Sequence, residues 1–116
     1  MQRIAIAAPI KPGKTEAWLQ YIAELKNEWE TEWKADFRKF GIDNESAWLQ
    51  KTPNGDLAIL LWEVRDPELH RQQFEELMTS NEDFHVWSRN NLMDIFGFEP
   101  AQERPPLPEQ VAHFEV

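Results

Sequence analysis

The sequence contains no cysteine among its 116 residues. Disulfides, thiolate metal sites and a cysteine nucleophile are therefore excluded, and a cytoplasmic location is the expectation. No segment approaches the roughly 18 consecutive apolar residues that a membrane helix requires. The apolar stretch at the N-terminus is short and has no clear cleavage site, so it predicts a first strand rather than a signal peptide.

Positive charge is also scarce, since 12 basic residues face 21 acidic ones and the formal net charge is -9. Such a chain repels phosphate backbones and anionic lipid surfaces over long range. We therefore expect neither a nucleic-acid partner nor a membrane partner.

Large apolar side chains are well represented, with 41% hydrophobic residues and six tryptophans. A chain of this length buries roughly two-thirds of its unfolded surface, which predicts one core. Residues 3 to 10 predict a strand that is followed by a turn. A helix is then expected from Thr15 to about Phe40, ended by Gly41, because its apolar residues recur every three or four positions. These residues are Trp18, Ile22, Leu25, Trp29, Trp33, Phe37 and Phe40.

Residues 46 to 52 and 57 to 64 predict the two strands of a hairpin. The Asn54-Gly55 pair between them is a strong signal for a tight turn. Asp66 and Pro67 then predict the start of a helix that runs to about Met78. The last helix is expected from Glu82 to about Phe96, with Gly97 as its stop.

Beyond residue 98 the chain is rich in proline. Pro100, Pro105, Pro106 and Pro108 predict an extended connector, and residues 111 to 116 alternate weakly enough to suggest a final strand. We expect a domain over residues 1–98 and a C-terminal extension over residues 99–116. The order of elements predicts an α+β, ferredoxin-like βαββαβ fold with an antiparallel sheet.

Both faces of the predicted hairpin are apolar. If Asn54 and Gly55 form the turn, one face carries Ala47, Leu49, Ala58, Leu60, Trp62 and Val64, and the other carries Trp48, Leu57, Ile59 and Leu61. Helices cover only one face of such a sheet, so the second face needs another cover. Pairing with a second copy of the chain is the simplest cover, and folding of the C-terminal tail over the face is the alternative.

Several segments resemble an uncharacterised bacterial family of the dimeric α+β barrel superfamily over about residues 3 to 98. The similarity lies in the strand ending at Ile10, the loop 11–14, the helix with Ala17, Trp18 and Leu25, and the segments 48–50 and 52–59. This superfamily includes antibiotic-biosynthesis-type monooxygenases that need no cofactor, haem-degrading enzymes and small ligand-binding dimers. The resemblance implies a fold and a dimer more strongly than an activity.

Residues 8–15 fit a loose phosphate-loop pattern between a strand and a helix. A phosphate loop directs backbone N–H groups at phosphates, yet Pro9 and Pro12 have none to offer. A tight turn from strand to helix is therefore the preferred interpretation.

Three histidines, His70, His85 and His113, have no metal-ligand spacing, so we expect no metal site and no cofactor. In the last helix, Asn91 lies within an apolar stripe, and His85 lies on the other flank of the helix. Haem-degrading and cofactor-free oxygenases of the superfamily that the chain resembles use these residue types near their pockets, so the resemblance makes Asn91 and His85 candidates for a catalytic role. The alternative is an interhelical structural amide and a partly exposed histidine.

Trp48, Trp62 and Trp87 are candidates to line a pocket, because flat indole rings stack on aromatic ligands. Core and interface packing is the alternative for them. The first functional hypothesis is a homodimer that binds a small apolar or aromatic molecule. The others are an enzyme of the cofactor-independent monooxygenase type and a purely structural or regulatory dimer.

Overall fold

The computed structural model describes residues 2–99 and 106–116. Within them the chain is α+β, as predicted, with three strands and four helices. The strands are β1 (Gln2–Pro9), β2 (Ile42–Thr52) and β3 (Gly55–Val64), and the helices are α1 (Thr15–Glu28), α2 (Glu30–Lys39), α3 (Pro67–Thr79) and α4 (Asp83–Phe96). The sheet is antiparallel in the order β1-β3-β2.

The apolar β3 is the central strand, and β1 is an edge strand of the described sheet. In a ferredoxin-like fold the first strand is central as well, and a final strand was expected over residues 111–116. That strand is absent, because residues 106–116 have no helix or strand and every one of them is exposed. Part of the predicted proline connector, residues 100–105, lies outside the described residues.

The hairpin of β2 and β3 forms where it was predicted, but its turn is one position earlier. Thr52 pairs with Gly55, so Pro53 and Asn54 make the turn. Gly55 adopts a φ of 125°, a positive value that glycine alone tolerates without strain. Asn54 keeps a negative φ. Compared with an Asn54-Gly55 turn, the observed turn shifts the register between β2 and β3 by two residues. Because side chains alternate between the faces of a strand, a shift of two residues leaves each side chain on the same face.

The single helix expected from Thr15 to Phe40 is wrong, because the chain forms α1 and α2 with a break at Trp29. Trp29 has φ -113° and ψ 22°, outside the helical region. No glycine or proline lies between residues 15 and 40. Neither glycine nor proline therefore causes the break, and it lies where the Trp29 ring packs against Phe84 and Trp87 of α4 at centroid distances of 5.5 and 5.2 Å.

The signals at the ends of the later helices are confirmed. The Asp66 side chain accepts a hydrogen bond from the Glu68 backbone N–H at the start of α3, with Pro67 at the first helical position. Gly97 ends α4 with a φ of 77°. Both ends match the residue types that satisfy free backbone groups at helix termini.

The helices cover one face of the sheet, and the buried sheet residues all lie on that face. One core cluster contains Ile10, Trp18, Tyr21, Ala58 and Ile95. A second contains Ile4, Phe40, Ile42 and Val64. The helix layer thus meets the sheet through two separate apolar clusters.

We call the opposite side of the sheet the open face. Its central residues are Ala5 and Ala7 on β1, Ser46 and Trp48 on β2, and Leu57, Ile59 and Leu61 on β3. None of these residues is buried in the described part of the chain, and Trp48 is 51% exposed. The two apolar faces predicted from the sequence are therefore present, and the described residues cover one of them.

Candidate functional site

The three tryptophans proposed as pocket residues lie in three different surroundings. Trp48 is on the open face, whereas Trp62 is on the helix-covered face. Trp87 belongs to α4 and stacks on Tyr21 of α1 at 5.1 Å. The described structure therefore does not bring the three rings into one pocket.

Asn91 is half-buried and bonds its own helix. Its Nδ2 donates a 2.9 Å hydrogen bond to the carbonyl oxygen of Trp87, one turn earlier in α4. This contact is intrahelical, not the interhelical amide contact considered from the sequence.

His85 is 1% exposed, which corrects the expectation of a partly exposed histidine. Its Nε2 lies 2.7 Å from Oδ2 of Asp36 on α2, which is also buried. Because a carboxylate only accepts, Nε2 is the donor. The pair joins α2 to α4 inside the helix layer, with Glu82 Oε2 3.6 Å from His85 Nδ1.

Three buried polar atoms near this helix pair have no hydrogen-bond partner among the described residues. They are His85 Nδ1, Trp33 Nε1 and Glu32 Oε2. Buried polar atoms in proteins are usually bonded, and an unbonded one costs stability. These atoms therefore provide unused donors and acceptors on α2 and α4.

A second buried polar pair joins α1 to α4. The hydroxyls of Tyr21 and Ser88 lie 2.7 Å apart, and both residues are buried. Burial raises the pKa of Tyr21 far above its ordinary value, an effect that the Ser88 bond opposes and the nearby charge of Glu45 reinforces. Tyr21 therefore remains a protonated phenol that can donate a hydrogen bond.

Glu45 is the one acidic residue of β2 that lies opposite β3 on the helix-covered face, where it pairs with Trp62. The Trp62 Nε1 donates a hydrogen bond to Glu45 Oε2. Glu45 is exposed as a whole residue, and desolvation of its carboxyl raises the pKa against the lowering effect of the Trp62 bond. A carboxyl with a raised pKa is suited to exchange protons with a bound molecule.

His70 of α3 completes this region. It is 6% exposed, and its ring lies 4.6 Å from the ring of Trp62. Desolvation lowers the pKa of His70, so the neutral imidazole is favoured. We call Glu45, Trp62 and His70 the Glu45 cluster.

The loop that resembles a phosphate loop uses its polar groups internally. The Lys11 N–H donates to the carbonyl of Ile95 at 2.9 Å, and the Lys14 N–H donates to the carbonyl of Lys11 at 3.0 Å. The Thr15 hydroxyl donates to Asp56 Oδ2 at 2.6 Å. This arrangement supports the interpretation of a tight turn, since these groups are occupied and a carboxylate stands beside them.

Asp36 and Glu45 were not among the site residues predicted from the sequence, although the position of each carries a signal. Asp36 follows Trp33 by three residues and precedes Phe40 by four, which places it on the apolar stripe. Glu45 alternates with Ala47 and Leu49, but the predicted strand began at residue 46. A longer strand would have placed this carboxyl on the helix-covered face.

Across residues 2–99 and 106–116, no group of three acidic, histidine or cysteine side chains is arranged to hold a metal ion. No helix in the same residues is both long and apolar enough to cross a membrane. No known family model matches the sequence, and no curated protein is significantly similar to it.

Proposed function

We propose that the protein is a homodimer that binds a small apolar or aromatic molecule between its sheet and its helices. The open face is the observation that carries the homodimer part of the proposal. It presents Trp48, Ile59 and Leu61 to water, and apolar patches of this kind are typical of interaction surfaces. A second open face is the surface of matching size and chemistry that every copy of the chain supplies.

The order of β1, two helices, the β2-β3 hairpin and two more helices supports a ferredoxin-like fold of the dimeric α+β barrel type. In that fold a fourth strand lies beside β1. The outer edge of β1 is open for such a strand in the described sheet.

The Glu45 cluster supports the ligand part of the proposal. Trp62 offers a flat indole, Glu45 a carboxyl acceptor and His70 a neutral imidazole beside the indole. Small-molecule sites combine apolar walls with a few polar groups that fix orientation. A ligand with an aromatic ring and a hydroxyl or amino donor would match these groups.

Native mass spectrometry of the purified protein tests both parts of the proposal. We expect a mass twice that of the chain, plus a small molecule that is lost on collisional activation. A dimer without a bound small molecule would favour the hypothesis of a structural or regulatory dimer. A monomer at every concentration would refute the homodimer.

An enzyme of the cofactor-independent monooxygenase type is the second candidate, because the raised pKa of Glu45 suits removal of a proton from a phenol. The resulting carbanion would form a C–O bond with one atom of O2, and the other atom would leave as water with two hydrogens of the substrate, which itself supplies the electrons. Oxygen uptake with candidate phenols tests this function. We expect uptake by the wild type and its loss in Glu45→Gln, whereas uptake unchanged in the variant would remove Glu45 from the mechanism.

A further inference from the structure

The buried ring of His85 uses only one of its two nitrogens. Its Nε2 donates to Oδ2 of Asp36 at 2.7 Å, so the neutral imidazole carries its proton on that nitrogen. Nδ1 then presents a lone pair. His85 is 1% exposed, and Nδ1 has no hydrogen-bond partner among the described residues. The ring therefore offers an electron-pair donor at the start of α4.

A carboxylate lies close to this nitrogen. Oε2 of Glu82 is 3.6 Å from His85 Nδ1, which is too far for a hydrogen bond. An ionised carboxylate and an unprotonated ring nitrogen are both acceptors, so neither can supply a proton to the other. Glu82 is the N-cap residue of α4, and its side chain is 73% exposed. The Glu82 side of the pair is therefore open to solvent.

His85 thus lies between two carboxylates, with Asp36 on Nε2 and Glu82 near Nδ1. In the part of the chain that the structure describes, neither carboxylate pairs with a lysine or an arginine. Charges at buried or partly buried positions are normally paired. The counter-charge for this group is therefore either a metal ion at Nδ1 or a second proton on the ring.

The distance between Nδ1 and Oε2 has the size that one zinc ion requires. Zinc lies about 2.0–2.1 Å from a histidine nitrogen and about 2.0–2.2 Å from a carboxylate oxygen. For the observed separation of 3.6 Å, these bond lengths give an angle of about 120° at the ion. Zinc sites are tetrahedral, so this angle is near the one that the ion prefers.

The spacing along the chain and the bond to Asp36 both match the pattern of metal sites. In helical metalloproteins, a glutamate three residues before a histidine supplies two ligands from one helix. A histidine that binds a metal nearly always donates its other N–H to a carboxylate or a carbonyl, which orients the ring and raises its basicity. Asp36 makes this contact with His85. The expectation of no metal site rested on the spacings between histidines, which do not report a glutamate–histidine pair.

We propose that His85 Nδ1 and Glu82 bind one divalent transition-metal ion of the zinc type, and that Asp36 is a positioning residue for the His85 ring. Within residues 2–99 and 106–116 no three ligating side chains come together, so water fills the other positions. Magnesium and calcium prefer oxygen ligands, and the imidazole therefore favours zinc over them. The site is independent of the proposed homodimer and its ligand.

Calorimetric titration of zinc chloride into the untagged, chelator-treated protein tests the site. We expect one zinc ion to bind per chain and to raise the melting temperature, because an ion that binds only the folded state stabilises it. Magnesium chloride should have neither effect. Absence of saturable zinc binding would overturn the proposal and assign the counter-charge to a second proton on His85.

Substitution of Glu82 locates the ion. Glu82→Gln changes an exposed side chain, so we expect the fold to persist in circular dichroism and most of the zinc affinity to be lost. Glu16→Gln is the matched control, because Glu16 is an exposed glutamate in the first turn of α1. It should bind zinc as the wild type does. Wild-type zinc affinity in Glu82→Gln would overturn the proposed site.

Substitution of Asp36 tests the positioning role. Asp36→Asn keeps an acceptor for the Nε2–H and removes the charge. We expect its zinc affinity to fall about 10–100-fold, the usual effect of changing a residue that supports a metal ligand. A residue with a structural role alone would lower the melting temperature of the metal-free protein and leave the zinc affinity unchanged. That result would overturn the role assigned to Asp36.

The tail also brings a histidine and a glutamate together, and it needs its own control. His113 Nε2 lies 3.1 Å from Oε1 of Glu115, and both residues are exposed. We expect His113→Ala to bind zinc as the wild type does. Loss of zinc binding in His113→Ala, together with wild-type binding in Glu82→Gln, would place the ion on the tail and refute the site at His85.

Discussion

His85 on α4 donates a 2.7 Å hydrogen bond to Asp36 on α2, and both side chains are buried. The bond joins two helices that lie before and after the β2-β3 hairpin in the chain. In Asp36→Ala the buried Nε2–H would have no acceptor, which costs about 1–3 kcal/mol. We therefore expect a lower melting temperature, by about 4–8 °C per kcal/mol for a domain of this size.

Asp36→Asn is the control for that experiment, because it keeps an acceptor oxygen without the charge. We expect it to lose less stability than Asp36→Ala in the same thermal unfolding assay. Equal losses in both variants would mean that charge, rather than the hydrogen bond, stabilises the pair.

Tyr21 and Ser88 form the other buried bond between helices. Tyr21→Phe leaves the Ser88 hydroxyl without its partner and should reduce the free energy of unfolding by about 1 kcal/mol. The double variant Tyr21→Phe/Ser88→Ala removes both polar groups, so we expect it to be at least as stable as Tyr21→Phe. Urea unfolding of the four proteins in this cycle measures the coupling, and strictly additive losses would contradict it.

Glu45 should lower stability at neutral pH. Its folded-state pKa is raised above the unfolded value, so the folded protein binds the proton more readily. The ionised carboxyl is therefore unfavourable above the folded pKa, and the penalty disappears as the pH falls below the unfolded value. We expect Glu45→Gln to be more stable than the wild type at pH 7 and similar to it at pH 4.

Urea unfolding across this pH range checks the expectation for Glu45. Glu109→Gln, in the exposed tail, is the matched control and should follow the wild-type curve. A Glu45→Gln curve parallel to the wild-type curve would show that the carboxyl titrates alike in both states.

His70 has the opposite pH dependence. Desolvation lowers its folded-state pKa below the unfolded value, so the unfolded chain binds the proton first as the pH falls. Stability should decrease on acidification through the unfolded pKa of about 6.5 and stop decreasing below the folded pKa. In His70→Leu we expect a flatter stability profile over that window, and an unchanged profile would assign the decrease to another group.

The sequence predicted the two faces of the hairpin because a shift of two residues leaves side-chain direction unchanged. Ala58 and Ile59 therefore lie on the expected sides even though the turn is one position earlier. The break at Trp29 was not predictable, since its stacking partners Phe84 and Trp87 are more than fifty residues away in the chain. The local sequence pattern predicts the periodicity of helices and strands and the type of turn. Contacts between distant segments decide where a regular helix is interrupted.

In the candidate site, too, some features follow from the local sequence and others depend on tertiary packing. The buried position of Asp36 follows from helical spacing, but its bond to His85 depends on how α2 and α4 pack. The separation of Trp48, Trp62 and Trp87 likewise depends on which sheet face the helices cover. Residue type and spacing predicted candidate site residues. The packing of the helix layer determines which of these residues are in contact.

The six indoles differ widely in their surroundings, and this gives the protein its own optical reporter. Trp18 is 3% exposed and Trp29 stacks on Trp87, whereas Trp48 stands half in water. An indole emits at longer wavelength in water than in an apolar interior, so Trp48 contributes the red side of the emission band. If another molecule covered the Trp48 ring, the emission band would shift to shorter wavelength. Intrinsic tryptophan fluorescence measured at increasing dilution therefore reports whether the open face is occupied.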